Sequence, residues 1–137
     1  MDIEQRIRES FAKQKMMATF WADVVSVAEG EVVLRAPILE LATQQMGFAH
    51  AALSFALGDT AAGYAALTTL PEGQEVVTAE IKINLLSPAT GEYLEARGRV
   101  VKPGRRLVVV SAVVEAVSDR VAVLYFGTLV ELGRAED

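Results

Sequence analysis

The 137-residue chain contains no cysteine and one histidine, His50. The first absence excludes disulfides, thiolate zinc sites and cysteine nucleophiles. The second leaves no clustered imidazole site within one chain, so no metal ligand set is expected. Positive charge is also in short supply, with 13 Lys and Arg against 18 Asp and Glu and a net charge of −5. Such a chain lacks the broad basic face that nucleic-acid binding normally needs. The charged start Met1-Asp2-Ile3-Glu4-Gln5-Arg6 is followed by no signal-peptide apolar stretch. The weakly polar run from Met46 to Leu70 contains His50 and Asp59 and is dominated by Ala and Gly. It is too poor in large apolar residues for a membrane span. A cytoplasmic protein is expected, without membrane or nucleic-acid partners.

What the chain does have is apolar mass. Hydrophobic residues make up 52% of the sequence and charged residues 23%, the balance of an ordinary globular protein. A single domain over residues 1–137 follows from the length. Ile3, Ile7 and Phe11 recur at spacing four among charged residues and predict an amphipathic N-terminal helix. Phe20 to Val27 and Glu31 to Ala36 read as a hairpin about Glu29-Gly30. After an irregular passage from Ile38 to Gln45, Ala49 to Leu70 reads as a long helix whose one charged residue is Asp59. A helix apolar nearly all round is expected to be buried nearly all round. Four strand-like runs follow, at Val77 to Leu85, Leu94 to Val101, Leu107 to Val117 and Arg120 to Leu132, the third rich in Val on both faces as expected for a strand covered on both sides. Three connections, Pro88-Ala89-Thr90-Gly91, Lys102-Pro103-Gly104-Arg105 and Ser118-Asp119, are too short for parallel crossovers and predict antiparallel pairing. Residues Arg134 to Asp137 are expected to fray. The economical architecture is α+β, one antiparallel sheet wrapped around one central helix. The uncovered sheet face predicts a homo-oligomer.

Asp59 is the residue out of place. It sits within Leu53-Ser54-Phe55-Ala56-Leu57-Gly58-Asp59-Thr60-Ala61-Ala62-Gly63-Tyr64 with no Lys or Arg at i±3 or i±4. Burying an ionised carboxylate without partners costs several kcal/mol. Asp59 is therefore either a site residue, suited to general-base work, or a structural one facing a wet groove or bonded to a strand. Gly58 and Gly63 beside it each cost about 1 kcal/mol in a helix and ask for close packing or ligand access. The aromatics Trp21, Phe48, Phe55 and Tyr64 could line an apolar pocket or fill the core, and the core is expected.

The helix start Met46-Gly47-Phe48-Ala49-His50-Ala51-Ala52 offers free N–H groups and the positive end of the helix dipole to a developing oxyanion. Eight residues separate Ala51 from Asp59, about 12 Å of helix rise. One subunit cannot easily bring both to one carbonyl, whereas two antiparallel copies can. A site shared across a dimer is expected.

These residues resemble a known family. Met46-Gly47-Phe48-Ala49-His50-Ala51-Ala52 with Leu57-Gly58-Asp59-Thr60-Ala61 is similar to the hotdog-fold acyl-CoA thioesterases of the phenylacetate-pathway (PaaI-like) type. So are Val77-Thr78-Ala79-Glu80-Ile81-Lys82-Ile83-Asn84-Leu85-Leu86-Ser87-Pro88-Ala89 and the Lys102-Pro103-Gly104-Arg105 turn. The resemblance implies a hotdog fold and hydrolysis of an acyl-CoA thioester, with coenzyme A as part of the substrate and no cofactor. It implies that Asp59 activates water or attacks the thioester, and that the Ala51 N–H polarises the carbonyl. Gln44 would hold the thioester or the water, and Thr78 would assist the carboxylate. Gly47, His50 and Ala52 are candidates for substrate contact, and Arg105 for the CoA phosphates, although His50 also fits a structural hydrogen bonder. A dimer or a dimer of dimers is implied. The sequence departs from the family's usual His-Gly-Gly with His50-Ala51-Ala52, and from its usual Asn with Gln44. A non-catalytic acyl-CoA-binding module and an enoyl-CoA hydratase or dehydratase are the rival readings.

Overall fold

The computed structural model describes residues 1–118 and 122–134. Asp119, the first two residues of the run expected from Arg120, and the tail from Ala135 to Asp137 lie outside the described residues. Helix α1 spans Ile3–Phe11, opened by Asp2, whose carboxylate accepts a 2.7 Å bond from the Gln5 N–H. The spacing-four stripe works as expected: Ile7 is fully buried, with Ile3 and Phe11 packed against the same core. A short helix α2, Lys15–Thr19, follows where no element was expected. It contributes Met17 to the core. Trp21, at φ 59, then turns the chain out of α2, so β1 begins at Asp23 rather than Phe20.

Strands β1 (Asp23–Ala28) and β2 (Glu31–Pro37) form the expected hairpin, with Gly30 at φ 80 in its turn. Helix α3 spans Ala51–Leu67. Strands β3 (Glu75–Asn84), β4 (Tyr93–Lys102), β5 (Leu107–Val117) and β6 (Ala122–Arg134) complete one six-stranded antiparallel sheet. Its order is β1-β2-β4-β5-β6-β3. The short 85–92 connection does not pair its two flanking strands. It carries the chain from β3 at one edge to β4 in the middle, and β3 pairs with β6 instead.

The sheet wraps α3, which packs against β2, β4 and β5 and reaches β3 and β6. Closest approach is at Gly98 of β4, where an added Cβ would lie 2.3 Å from the Ala61 carbonyl carbon and oxygen. Only glycine admits a helix backbone that near. Gly58 has the close-packing role foreseen for it, its Cβ position lying 3.2 Å from a Val114 methyl. Leu57, Ala61, Ala62, Ala65 and Ala66 are wholly buried beneath the helix.

Three expectations need correction. Helix α3 is not buried all round, because Ala51, Ala52 and Phe55 are exposed and Asp59, Thr60 and Gly63 partly so. At 3.6 residues per turn, positions 51, 55, 59 and 63 form one row along the helix, and that row is open. Strand β5 is not covered on both sides, since its residues alternate between buried and half-buried. Of the four aromatics assigned to the core, only Tyr64 is fully there; Trp21 is 67% exposed and Phe55 41%, while Phe48 is half-buried. No helix among the described residues is long and apolar enough to cross a membrane.

Candidate active site

The residues singled out in the sequence gather at two places on the open row of α3. The first is its N-terminus. There the segment before the helix folds back on itself: Gln44 N–H donates to Phe48 O at 2.8 Å, and Gly47 N–H to Gln44 O at 2.9 Å. The Gln44 side-chain carbonyl accepts from the Met46 N–H at 2.5 Å and the Phe48 N–H at 3.2 Å. Gly47 sits at φ 87 with nothing within 4 Å of a Cβ position, so its glycine is required by backbone angle and not by space. The loop is also pinned from outside, with Ala49 N–H on Ala89 O and His50 N–H on Ala42 O.

His50 is the N-cap of α3, and its Nδ1 accepts from the Ala52 N–H at 2.9 Å. This is the structural role weighed for it, and it occupies the Ala52 donor. The Ala51 N–H has no acceptor among the described residues, and Ala51 is exposed. One N–H therefore remains at the positive end of a 17-residue helix, pointing toward open surface. Gln44 keeps its side-chain NH₂ uncommitted among the described residues, although its carbonyl is spent on the loop.

The second place lies two turns further on. Asp59, half-buried, accepts a 2.7 Å hydrogen bond on Oδ1 from the Thr78 hydroxyl of β3. The partner is a strand residue nineteen positions away, invisible to any helical-spacing argument. A β-bulge between Thr78 and Glu80 marks the point where β3 breaks step with β6. Such bulges re-aim a side chain. The other Asp59 oxygen has no partner among the described residues.

Beside Asp59 opens a cleft of about 630 Å³ between α1, α3 and the start of β3. Gly63, Tyr64, Ser10 and Gln14 line it, and Asp59 and Thr78 form one end. None of α1's contribution was legible in advance. The only signal was polar Ser10 and Gln14 near an otherwise amphipathic stripe. Tyr64 is buried at its ring, 6.1 Å centroid to centroid from Phe11, while its hydroxyl meets Ser10 Oγ at 3.0 Å and Gln14 Nε2 at 2.9 Å. Burial holds the Tyr64 phenol above its ordinary value of 10.0, outweighing the two hydrogen bonds that act the other way.

Arg105 is exposed in the β4–β5 turn. Leu107, just after it, pairs with Leu132, which pairs with Val77. The turn thus lies at the Thr78 end of the sheet, two strands or about 10 Å away. Within one chain, then, Gln44, Gly47, His50, Ala51 and Ala52 form one group and Asp59 with Thr78 another. Arg105 stands apart from both.

The model of the family described as Thioesterase superfamily matches residues 46–123, which hold both groups except Gln44. A thioesterase family protein from Silicibacter pomeroyi is 39% identical over 96% of this chain and 97% of its own, with a TM-score of 0.93. The PaaI protein of the Escherichia coli phenylacetic acid degradation operon is 19% identical and shares the fold. Its TM-score is 0.85 over 97% of this chain and 94% of its own. A Bacillus halodurans protein solved with CoA is 26% identical over 96% of this chain and 83% of its own, with a TM-score of 0.76.

Proposed function

The chain belongs to the thioesterase superfamily, and from that premise we propose that it hydrolyses acyl-CoA thioesters to a free acid and coenzyme A. The observation that carries this reading is the Thr78–Asp59 bond, which presents a carboxylate on the one open row of a buried helix. A carboxylate oriented by one donor, with a second oxygen uncommitted, suits general-base work. The CoA bound by the Bacillus halodurans relative supports the thiol half of the substrate.

The oxyanion donor is the Ala51 N–H. It stands about 12 Å up the helix from Asp59, so the working site combines Asp59 of one subunit with Ala51 of another. Strand β3 suits that assembly. It is the sheet edge beyond β6, and it exposes Val77 at 52% of its surface, with Leu85 just past its end at 49%. In the proposed reaction Asp59 takes a proton from water, the hydroxide adds to the thioester carbonyl, and the oxyanion is held by the Ala51 N–H and helix dipole. Collapse expels the CoA thiolate, which recovers the proton. Direct attack by Asp59 to give an anhydride, then hydrolysed by water, uses the same residues. Thr78 holds Asp59 in place, and the Gln44 NH₂ is placed to contact the thioester. Gly47 shapes the approach to the helix start. Arg105 meets the CoA phosphates. No cofactor is needed for either route.

Two variants test the reading. Asp59→Ala removes the base, and Ala51→Pro removes the N–H at the first helical position, where proline is tolerated and the preceding residue is already extended. Each is expected to lower thiol release from acyl-CoA by about 10²–10³-fold or more. Mixing the two inactive proteins and refolding them together should restore part of the turnover, because mixed dimers rebuild one complete site. Full activity of Asp59→Ala, or two inactive variants that never complement, would defeat the shared-site mechanism.

A further inference from the structure

We infer that the cleft between α1 and α3 receives the acyl group, and that Tyr64, Ser10 and Gln14 select acyl groups carrying a hydroxyl on the sixth carbon over alkyl chains of the same length. This rests on the thioesterase reading and specifies its substrate.

A thioester placed at Asp59 has two ends to dispose of. The cleft is unsuited to the nucleotide end. With Asp59, Glu9, Glu72 and Glu75 it presents four carboxylates, which repel phosphates, against the cations Arg6, Lys13 and the Met1 amine, the last held by Glu72 at 3.7 Å. Its Arg6 is committed to the carbonyls of Leu70 and Pro71 at 2.8 and 3.0 Å. The acyl end is left to enter. Tyr64 lies five residues beyond Asp59, about 7.5 Å along the α3 axis. A six-carbon acyl chain spans that interval, and the cleft continues past it to Leu67, Glu72 and Gly73.

The chemistry at Tyr64 follows from counting donors. Tyr64 and Ser10 share one hydrogen bond of 3.0 Å, and Gln14 Nε2 donates a second to the Tyr64 oxygen. The two hydroxyls own two hydrogens, and the bond between them uses one. Whichever way it points, the other has no acceptor among the described residues, and burial keeps the phenol protonated. The Gln14 side-chain carbonyl is likewise unpaired there. This part of the cleft therefore offers both a donor and an acceptor, the complement of a hydroxyl group. A methyl group placed there would leave these groups dry and unpaired, a cost that alkyl chains carry and hydroxyacyl chains do not.

The test compares 6-hydroxyhexanoyl-CoA with heptanoyl-CoA, which differ by OH for CH₃, on the full-length protein. The expected result is at least a tenfold higher kcat/KM for the hydroxyacyl substrate, a ratio that Tyr64→Phe reduces to near one. Ser10→Ala, on α1 and outside the helical core, should reduce the same ratio and serves if Tyr64→Phe is poorly folded. The difference should appear mainly in KM, since the contact is remote from the reacting carbonyl. Equal hydrolysis of both substrates, or a ratio unmoved by both variants, overturns the assignment while leaving thioester hydrolysis standing. Hydrolysis of neither substrate, nor of acetyl-CoA, overturns the thioesterase reading itself.

Discussion

The two faces of α3 make opposite use of the same small-residue sequence. Toward the sheet, Leu57, Ala61, Ala62, Ala65 and Ala66 are wholly buried, and the helix backbone rests on Gly98. Toward the outside, Ala51, Phe55, Asp59 and Gly63 form a row left open by the sheet. Alanine and glycine allow close contact on the first face and ligand access on the second. Stability should therefore reside on the inward face and chemistry on the outward one. The contrast teaches that a helix without a polar side can still have an open side.

The sharpest way to break this division is Gly98→Ala. The new Cβ would meet helix backbone, which cannot swing aside, so we expect a loss of about 3 kcal/mol or more, at or above the top of the usual overpacking range. Urea unfolding would measure it, and a loss under about 1 kcal/mol would show that α3 lifts easily from the sheet. By contrast, Asp59→Ala, expected to lower turnover by about 10²–10³-fold or more, should leave the unfolding midpoint unchanged or raised.

His50→Ala probes the upper end of the open row. Loss of the Nδ1 cap is expected to cost about 1 kcal/mol, and His50→Asn should recover most of it, as Asn is a strong N-cap. A catalytic histidine would behave otherwise, with turnover lost in both variants at unchanged stability.

Tyr64 belongs to both faces, with its ring in the core and its hydroxyl in the cleft, and pH separates the two. Its folded value lies above 10.0, so as pH rises the unfolded chain releases this proton first. Stability should thus fall as pH climbs through about 10 toward the folded value, and be fully present below that range. Urea midpoints at about pH 9 and about pH 11 should show a smaller drop for Tyr64→Phe than for wild type. An identical drop in the two proteins would assign the alkaline loss to other groups.

Much of this division was legible beforehand, and the parts that were not have a common cause. The stripe Ile3, Ile7, Phe11 predicts α1, and the lone carboxylate in an apolar helix marks Asp59. In both cases the signal is local, carried by residues one or two turns apart. Thr78 could be paired with Asp59 only through the family resemblance, since its spacing of nineteen residues carries no periodicity. The open row escaped notice because alanine, glycine and phenylalanine do not announce exposure. Trp21 looked like core because it is large and apolar, yet it occupies a left-handed turn outside the sheet.

By itself, the sequence determined the types of α1, α3 and the six strands and the chemical identity of the carboxylate, because turn geometry and the periodicity of apolar residues act over a few residues. Only the tertiary structure decided that β3 leaves its neighbour in sequence to pair with β6, which brings the Thr78 hydroxyl to Asp59. It alone laid α1 across α3 to form a cleft lined by Tyr64, Ser10 and Gln14. Those contacts depend on how one sheet curves around one helix, and curvature is a property of all six strands together that no short stretch of residues encodes.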